Sequence, residues 1–413
     1  MIALVPNPTG TGHNMRMYAI ARELKKQSDE EIVVFLASLQ NVFTSMFEEI
    51  GVKVVNFNPN DVINYSNKSH LSENLDWNTM IKDYFVDTFY NGNKILKYMN
   101  LFNEYRPNIV VSDYNINATL AAINLNIKNV FVTERYNFTL VDVSNEKLSE
   151  GGFKISPDEM NQARQTLNQL FGQMCKDVDL ILTDKPYVGE MDQDSLMEQY
   201  LQNQKAHFVG PMIRPSHPYD NNIRKELGLG NGPIIVATVS GTTMFEENKK
   251  LLLDAFIKLF SNLKLKHKDL EMVLLGRSEM DVPDGIHSIP YLPNWIPLLQ
   301  EASVLLAHPG WITITEVASL KVPAIFCLAS YKEYHEAEAY ERLQKLGFET
   351  NYGGNVQQLT QKVDSLIQNK EEVTTLLKNY EKIAPNSNGA LEAATLILNV
   401  LSKAKDKNLS HSK

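Results

Sequence analysis

Residues 307–323 read A-H-P-G-W-I-T-I-T-E-V-A-S-L-K-V-P. The preceding run, Ser303 to Ala307, is short and apolar, as a buried strand is, and His308-Pro309-Gly310 breaks it. From Trp311 to about Leu320 the spacing predicts a helix, and Val322 to Leu328 has the pattern of the next parallel strand. A strand, a glycine turn and a helix start in this order make an anion site. The first-turn N–H groups lack intrahelical partners and carry the positive end of the helix dipole. Thr313 adds a hydroxyl donor in that turn, and Glu316 lies three residues on, roughly 4.5 Å further along the same face. A carboxylate about one turn below a phosphate cradle suits a ribose, whose two hydroxyls it can accept. The same residues also fit an ordinary strand–helix–strand unit, with a histidine capping a turn and a glutamate in solvent.

The chain before this stretch has the same rhythm. Met1 to Pro6 reads as a buried strand, N-P-T-G-T-G-H-N as a glycine-rich turn, and Met15 to Lys26 as a helix. The turn is not the dinucleotide fingerprint. Strand Ile32 to Ala37, helix Val42 to Ile50 and strand Val52 to Phe57 follow, an order that predicts a doubly wound parallel sheet with right-handed crossovers. Ile109 to Asp113 is a strand ending in a carboxylate, at the edge where open α/β sheets bind ligands. Trp77 to Tyr105 reads as one long helical stretch whose many aromatics fit core packing, Glu134 to Gly152 as a loop, and Asp158 to Lys176 as a helix. R-P-S-H-P-Y-D from Arg214 is a polar, proline-rich linker, after which the pattern restarts with strand Ile234 to Val239 and the turn Ser240-Gly241-Thr242-Thr243. The expectation is an α/β protein of two doubly wound, Rossmann-like domains facing across a cleft. They span 1–213 and 223–385, joined by linker 214–222. Residues 386–413 form a terminal helix packing back on the first domain and a frayed tail.

Composition narrows the function. The 413 residues are 43% hydrophobic and 22% charged, as in globular proteins, and a net charge of −9 leaves no basic stripe for nucleic acid. Cys175 and Cys327 are far apart in apolar segments and read as buried thiols of a reducing compartment. No apolar run is long enough to span a bilayer, and the chain enters directly into a strand, so a cytoplasmic location is expected.

With these motifs in order, the chain resembles the GT-B glycosyltransferases, specifically the nucleotide-sugar-dependent UDP-glycosyltransferase superfamily, related to the N-acetylglucosaminyltransferase of peptidoglycan synthesis. T-G-T-G-H with Arg16 resembles the N-terminal Gly-His loop, and R-P-N-I-V-V-S-D the strand that delivers an aspartate. V-G-P-M-I-R-P resembles the junction into the second domain, V-S-G-T-T its first phosphate-facing turn, and Y-L-P-N the family's W-x-P-Q. H-P-G-W-I-T-I-T-E resembles H-x-G-x-x-S/T-x-x-E and is the most specific of these. A lysine, Lys321, stands where the family usually has a glycine before Val322-Pro323.

The resemblance implies that His308, Gly310 and Thr313 hold the donor diphosphate and Glu316 the ribose hydroxyls. Tyr291 would flank the base with Asn294 nearby, and Ser240, Gly241 and Thr242 would approach the phosphates. Gly12 lies in the N-terminal loop, and Glu336 would accept from sugar hydroxyls. His13 would be the general base toward the acceptor, with Asp113 orienting its ring. That pair is reasonable chemistry in itself, since histidine titrates near neutrality and a buried carboxylate fixes its tautomer, although a lone His13 also fits a cap or core position. The implied reaction is a single displacement at the anomeric carbon with inversion, needing no metal. The donor would be a nucleoside-diphosphate sugar, UDP-linked or alternatively dTDP-linked. The acceptor would be a small, partly apolar molecule such as a secondary metabolite, met by a minority of the aromatics between Trp77 and Phe102. The chain would be a monomer or homodimer, with no nucleic-acid partner and no integral membrane segment. Two alternatives share the motifs: a nucleotide-sugar hydrolase or epimerase on the same fold, and a non-catalytic donor-binding subunit of a glycosyltransferase pair.

Overall fold

A computed structural model describes residues 1–8, 11–37, 40, 43–57, 74–213, 222–239, 245–276, 281–290, 292, 294–385 and 388–410. The chain divides into two compact units. The first comprises Met1–Leu140, Lys154–Arg214 and Asn386–Lys413, and the second Val141–Phe153 and Pro215–Pro385. The sequence reading put residues 141–153 with the first half, whereas their contacts group them with the second.

The first unit is built on a seven-stranded sheet. Its strands are β1 (Ile2–Pro6), β2 (Ile32–Leu36), β3 (Lys53–Asn56), β5 (Ile109–Asp113), β6 (Lys128–Val132), β8 (Leu180–Thr183) and β9 (Ala206–Phe208). Their order is β3-β2-β1-β5-β6-β8-β9, every neighbouring pair parallel. A two-stranded parallel ribbon joins β4 (Asn74–Leu75) to β7 (Lys154–Ile155). Because side chains alternate along a strand, each sheet face carries its own core. Ile2, Leu4, Val34 and Val111 pack with Ile20 and Leu24 of helix Thr11–Gln27 and with Ala393 and Ile397 of helix Gly389–Ser410. Ala3, Val5, Val33 and Phe35 pack on the other side with Tyr98, Phe102, Ala118 and Ala122. The final helix starts against Gly210-Pro211. A Cβ at Gly389 would lie 2.3 Å from the Gly210 carbonyl oxygen, so only glycine fits there.

The second unit has a six-stranded parallel sheet of β10 (Ile234–Thr238), β11 (Glu271–Leu275), β12 (Ile286–Ile289), β13 (Val304–Ala307), β14 (Ala324–Leu328) and β15 (Glu349–Tyr352), in the order β12-β11-β10-β13-β14-β15. The edge strand β15, Glu-Thr-Asn-Tyr, lacks an apolar pattern and is held by its register on β14, which the sequence does not display.

Three elements differ from the sequence expectation. The helix expected from Met15 begins at Thr11, which puts His13 in its first turn. The single helix expected over Trp77 to Tyr105 is two: a π-helical stretch Asn78–Val86 and an α-helix Gly92–Tyr105, whose start Asn91 caps by accepting from the Asn93 and Lys94 N–H groups. The expected loop Glu134 to Gly152 contains a helix, Asn145–Glu150, capped by Ser144.

Helix Trp311–Leu320 ends at Lys321, whose φ of 55° and ψ of 45° are left-handed. A side chain there is strained where glycine is not. Lys321→Gly should therefore stabilise the chain by roughly 0.5–1 kcal/mol, read as a higher urea midpoint with unchanged slope.

Candidate active site

In the first unit three adjacent strands, β5, β6 and β8, each deliver an acid at or just past the carboxyl end: Asp113, Glu134 and Asp184. Helix Thr11–Gln27 starts beside them and presents His13 and, one turn on, Arg16. Arg16 is 1% exposed, and all three carboxylates converge on its guanidinium. Its Nη1 donates to both Asp113 oxygens at 2.9 and 3.0 Å, its Nε to Asp184 at 3.0 Å, and its Nη2 to Glu134 at 3.0 Å. His13 Nδ1 meets Asp113 Oδ1 at 2.9 Å. A carboxylate already paired to arginine only accepts, so the Nδ1 in this contact carries the proton and the lone pair is left on Nε2.

The charges of this cluster follow from burial and pairing. Burial opposes the Arg16 charge, but Asp113, Asp184 and Glu134 outweigh it and raise its pKa further. Burial also opposes ionisation of Glu134, yet Arg16, followed by Lys185, His13 and Arg135, holds it down at about 2. Asp184 behaves otherwise: burial raises its pKa, the neighbouring Glu134 and Asp113 charges add to that, and Arg16 offsets only part.

Tyr114, immediately after β5, has φ 48°. Its carbonyl accepts from Asn7 Nδ2 at 2.8 Å, and its ring lies parallel to His13 at 6.4 Å between centroids. Behind it the aromatics Phe89, Phe131 and Phe171 pack ring on ring, with Phe138 stacked on Phe171 at 4.3 Å. Most of the aromatic stretch is therefore core, including Phe85, Phe89, Tyr98 and Phe102, while Tyr90 is exposed.

In the second unit β13 ends at Ala307, and helix Trp311–Leu320 starts after Gly310 with no side chain capping it. Its first-turn N–H groups are thus not taken by a capping side chain. Space is open around Gly310, where a Cβ would meet only the Thr313 hydroxyl, at 4.0 Å. His308 is buried, its Nε2 2.6 Å from Glu333 Oε2 and its Nδ1 4.0 Å from Glu336 Oε1. Burial and the Lys249 charge lower its pKa, but the Glu336 charge and the bond and charge of Glu333 prevail and raise it, favouring the imidazolium. Glu316 is also buried, and its Oε2 accepts from Trp295 Nε1 at 2.9 Å. The indole fixes the carboxylate one turn below the helix start. Asn294 accepts from the Ile296 N–H at the start of helix Ile296–Glu301.

The structure thus brings His13 to Asp113 and places His308, Gly310, Thr313, Glu316 and Glu336 around one helix start. Gly12 lies in the first turn of the first helix. Ser240, Gly241, Thr242 and Tyr291 lie outside the described residues. Sequence reading missed Glu134, Asp184, Glu333 and Trp295. The signal for the first two was present, since each closely follows a short apolar run, Val130 to Thr133 and Leu180 to Thr183. Cys175 and Cys327 are buried and free, and burial raises both thiols, that of Cys175 to about 12 against an opposing effect of Lys205. Among the described residues no group of three or more His, Cys, Asp or Glu side chains is placed to hold a metal ion, and no helix is long and apolar enough to cross a membrane.

Residues 246–397 match the family model of the glycosyltransferase family 28 C-terminal domain. A curated relative is the UDP-N-acetylglucosamine–N-acetylmuramyl-(pentapeptide) pyrophosphoryl-undecaprenol N-acetylglucosamine transferase of Carboxydothermus hydrogenoformans. It is 24% identical over 140 residues, which are 29% of this chain and 34% of the relative. The matched relatives are spanned over 34% to 58% of their own length. Among solved structures, the glycotransferase of kitacinnamycin superposes with a TM-score of 0.65 at 16% identity, over 97% of this chain and 98% of that one. A putative UDP-N-acetylglucosamine 2-epimerase from Listeria monocytogenes superposes with a TM-score of 0.59 at 14% identity, over 96% and 94%. The fold is that of the GT-B glycosyltransferases.

Removing the guanidinium would leave three carboxylates crowded without the cation that all three bond. Arg16→Met should cost about 3–5 kcal/mol at neutral pH. Glu134 has a folded pKa below its ordinary 4.5, so its contribution is complete above pH 4.5 and lost as pH falls toward about 2. Urea unfolding between pH 3 and 7 should show this acid dependence in the parent and a flatter one in the variant.

Proposed function

We propose that this chain is an inverting glycosyltransferase that moves a sugar from a nucleoside-diphosphate sugar to a small, partly apolar acceptor. The observation that carries the reading is the 2.9 Å contact of His13 with Asp113, whose two oxygens also accept from Arg16. His13 Nε2 takes the proton from the acceptor hydroxyl, and the oxygen attacks the anomeric carbon from the face opposite the nucleotide. The diphosphate leaves with the bonding electron pair. Asp113 stabilises the imidazolium that forms. The first-turn N–H groups after Gly310, the Thr313 hydroxyl and His308, whose pKa its two glutamates raise, stabilise the charge that develops on the leaving diphosphate. Glu316, oriented by Trp295, takes the ribose hydroxyls, and Glu336 accepts from the sugar. We further assign Ser240, Gly241, Thr242, Tyr291 and Asn294 to the donor from the resemblance alone. A UDP-sugar is the preferred donor, with a dTDP-sugar as the alternative. An acceptor with an apolar part is taken from the resemblance, and the Carboxydothermus relative is named for an undecaprenol-linked one.

A nucleotide-sugar hydrolase or epimerase is the second reading. It is favoured by Asp184 in the same cluster, whose pKa burial and the neighbouring acids raise, and by the fold shared with the Listeria epimerase.

A thermal-shift panel of UDP, dTDP and GDP tests donor binding. The matching diphosphate at about 100 times its dissociation constant should stabilise by about 2.7 kcal/mol, and no response to any of the three would remove the reading. His13→Ala should lower kcat for transfer by at least about 10²-fold while leaving that stabilisation in place. Release or conversion of the sugar with no acceptor present would select the second reading.

A further inference from the structure

Residues 141–153 follow on from the first unit but pack within the second, and part of their packing falls on one short turn. Val141, Val143, Leu148 and Phe153 are buried. Lys147 Nζ donates to Glu341 at 2.6 Å and lies 5.1 Å from the centre of the Tyr331 ring. The Tyr352 hydroxyl donates to Glu150 at 3.2 Å, and Phe153 meets Tyr334 edge to face at 5.7 Å. Gly151 makes the tightest approach. A Cβ built on it would lie 2.6 Å from the Lys332 amide nitrogen and 2.7 Å from the Tyr331 carbonyl carbon. Its φ of −68° is open to any residue, so glycine is required here for space alone.

The contacts with Tyr331, Lys332 and Tyr334 fall on both sides of one residue. Tyr331 and Lys332 precede Glu333, and Tyr334 follows it. The turn's opposite side is tied by Ser330, which accepts from Asn248 Nδ2 and from the Lys332 N–H. Glu333 itself reaches His308 at 2.6 Å.

We propose that segment 141–153 is a brace that sets the backbone of turn 330–334, and that Gly151 is a positioning residue which, through Glu333, fixes His308 at the diphosphate end of the donor site. The brace itself stands on contacts within one unit, and only its consequence for the donor rests on the proposed function. A methyl group at 151 must push the 331–332 peptide away, and Glu333 moves with it. His308 then faces the Glu336 and Lys249 charges without its closest carboxylate.

Two readouts on the full chain separate the brace from the function. The first is the His308 ring, assigned by difference from His308→Gln and titrated by NMR without ligand. Gly151→Ala should lower its midpoint by at least about half a pH unit toward the ordinary histidine value. Lys147→Met, at a half-exposed position, should shift it in the same direction by less, and it serves as the test if Gly151→Ala does not fold. An unchanged midpoint in the folded variants would overturn the brace whether or not any nucleotide binds. The second compares UDP with UMP, and dTDP with dTMP. Gly151→Ala should weaken whichever diphosphate the parent binds by about 10-fold and leave the monophosphate within twofold. Equal weakening of both would mean general damage and would overturn the positioning role. Failure of the parent to bind any of the four would overturn the donor reading and the donor consequence with it, while the NMR midpoint still decides for or against the brace.

Discussion

Every strand of the two large sheets runs parallel to its neighbours, so each sheet has one edge at which all its strands end. Right-handed crossovers force the chain to leave that edge through a turn and enter a helix, whose unpaired N–H groups point back over the strand ends. Polar groups placed just past a strand therefore gather without any long-range signal to collect them. Asp113, Glu134 and Asp184 meet for this reason in the first unit, and His308 and Glu333 in the second. The constraint supplies proximity, and the residue types supply the chemistry.

Proximity of three carboxylates is unfavourable until something answers it. Arg16 does so with a rigid fork of donors, each aimed at a different acid. A lysine, a single point charge, could not bond three carboxylates in one plane. The pairing leaves Asp113 an acceptor only, and this settles which nitrogen of His13 is protonated. In the second unit the balance is reversed, with two carboxylates attending one histidine and raising its pKa beside a helix start.

Much of this was legible in the sequence, because most elements are decided locally. The helix expected over 311–320 is found at Trp311–Leu320, since Gly310 ends the strand, the apolar spacing is helical and nothing else competes. His13 and Asp113, a hundred residues apart, could be paired on paper because both flank strand ends of one sheet. Helix starts were less legible: Thr11 and Gly12 join the first helix although glycine disfavours it, because packing of the helix body outweighs a weak local preference. The edge strand Glu349–Tyr352 was invisible for a related reason, its hydrogen bonds to β14 being made by backbone, whatever the side chains.

The sequence by itself determined the alternation of strand and helix, the parallel sheets and the chemical kinds of residue at strand ends, because periodicity and turn chemistry act over a few residues. Only the tertiary structure decided which acid meets which base. It gave Arg16 to three carboxylates, Glu333 and not Glu336 to the closest place on His308, the Trp295 indole to Glu316, and residues 141–153 to the second unit. Those pairings depend on where distant segments come to rest, and that is fixed by the packing of whole sheets and helices.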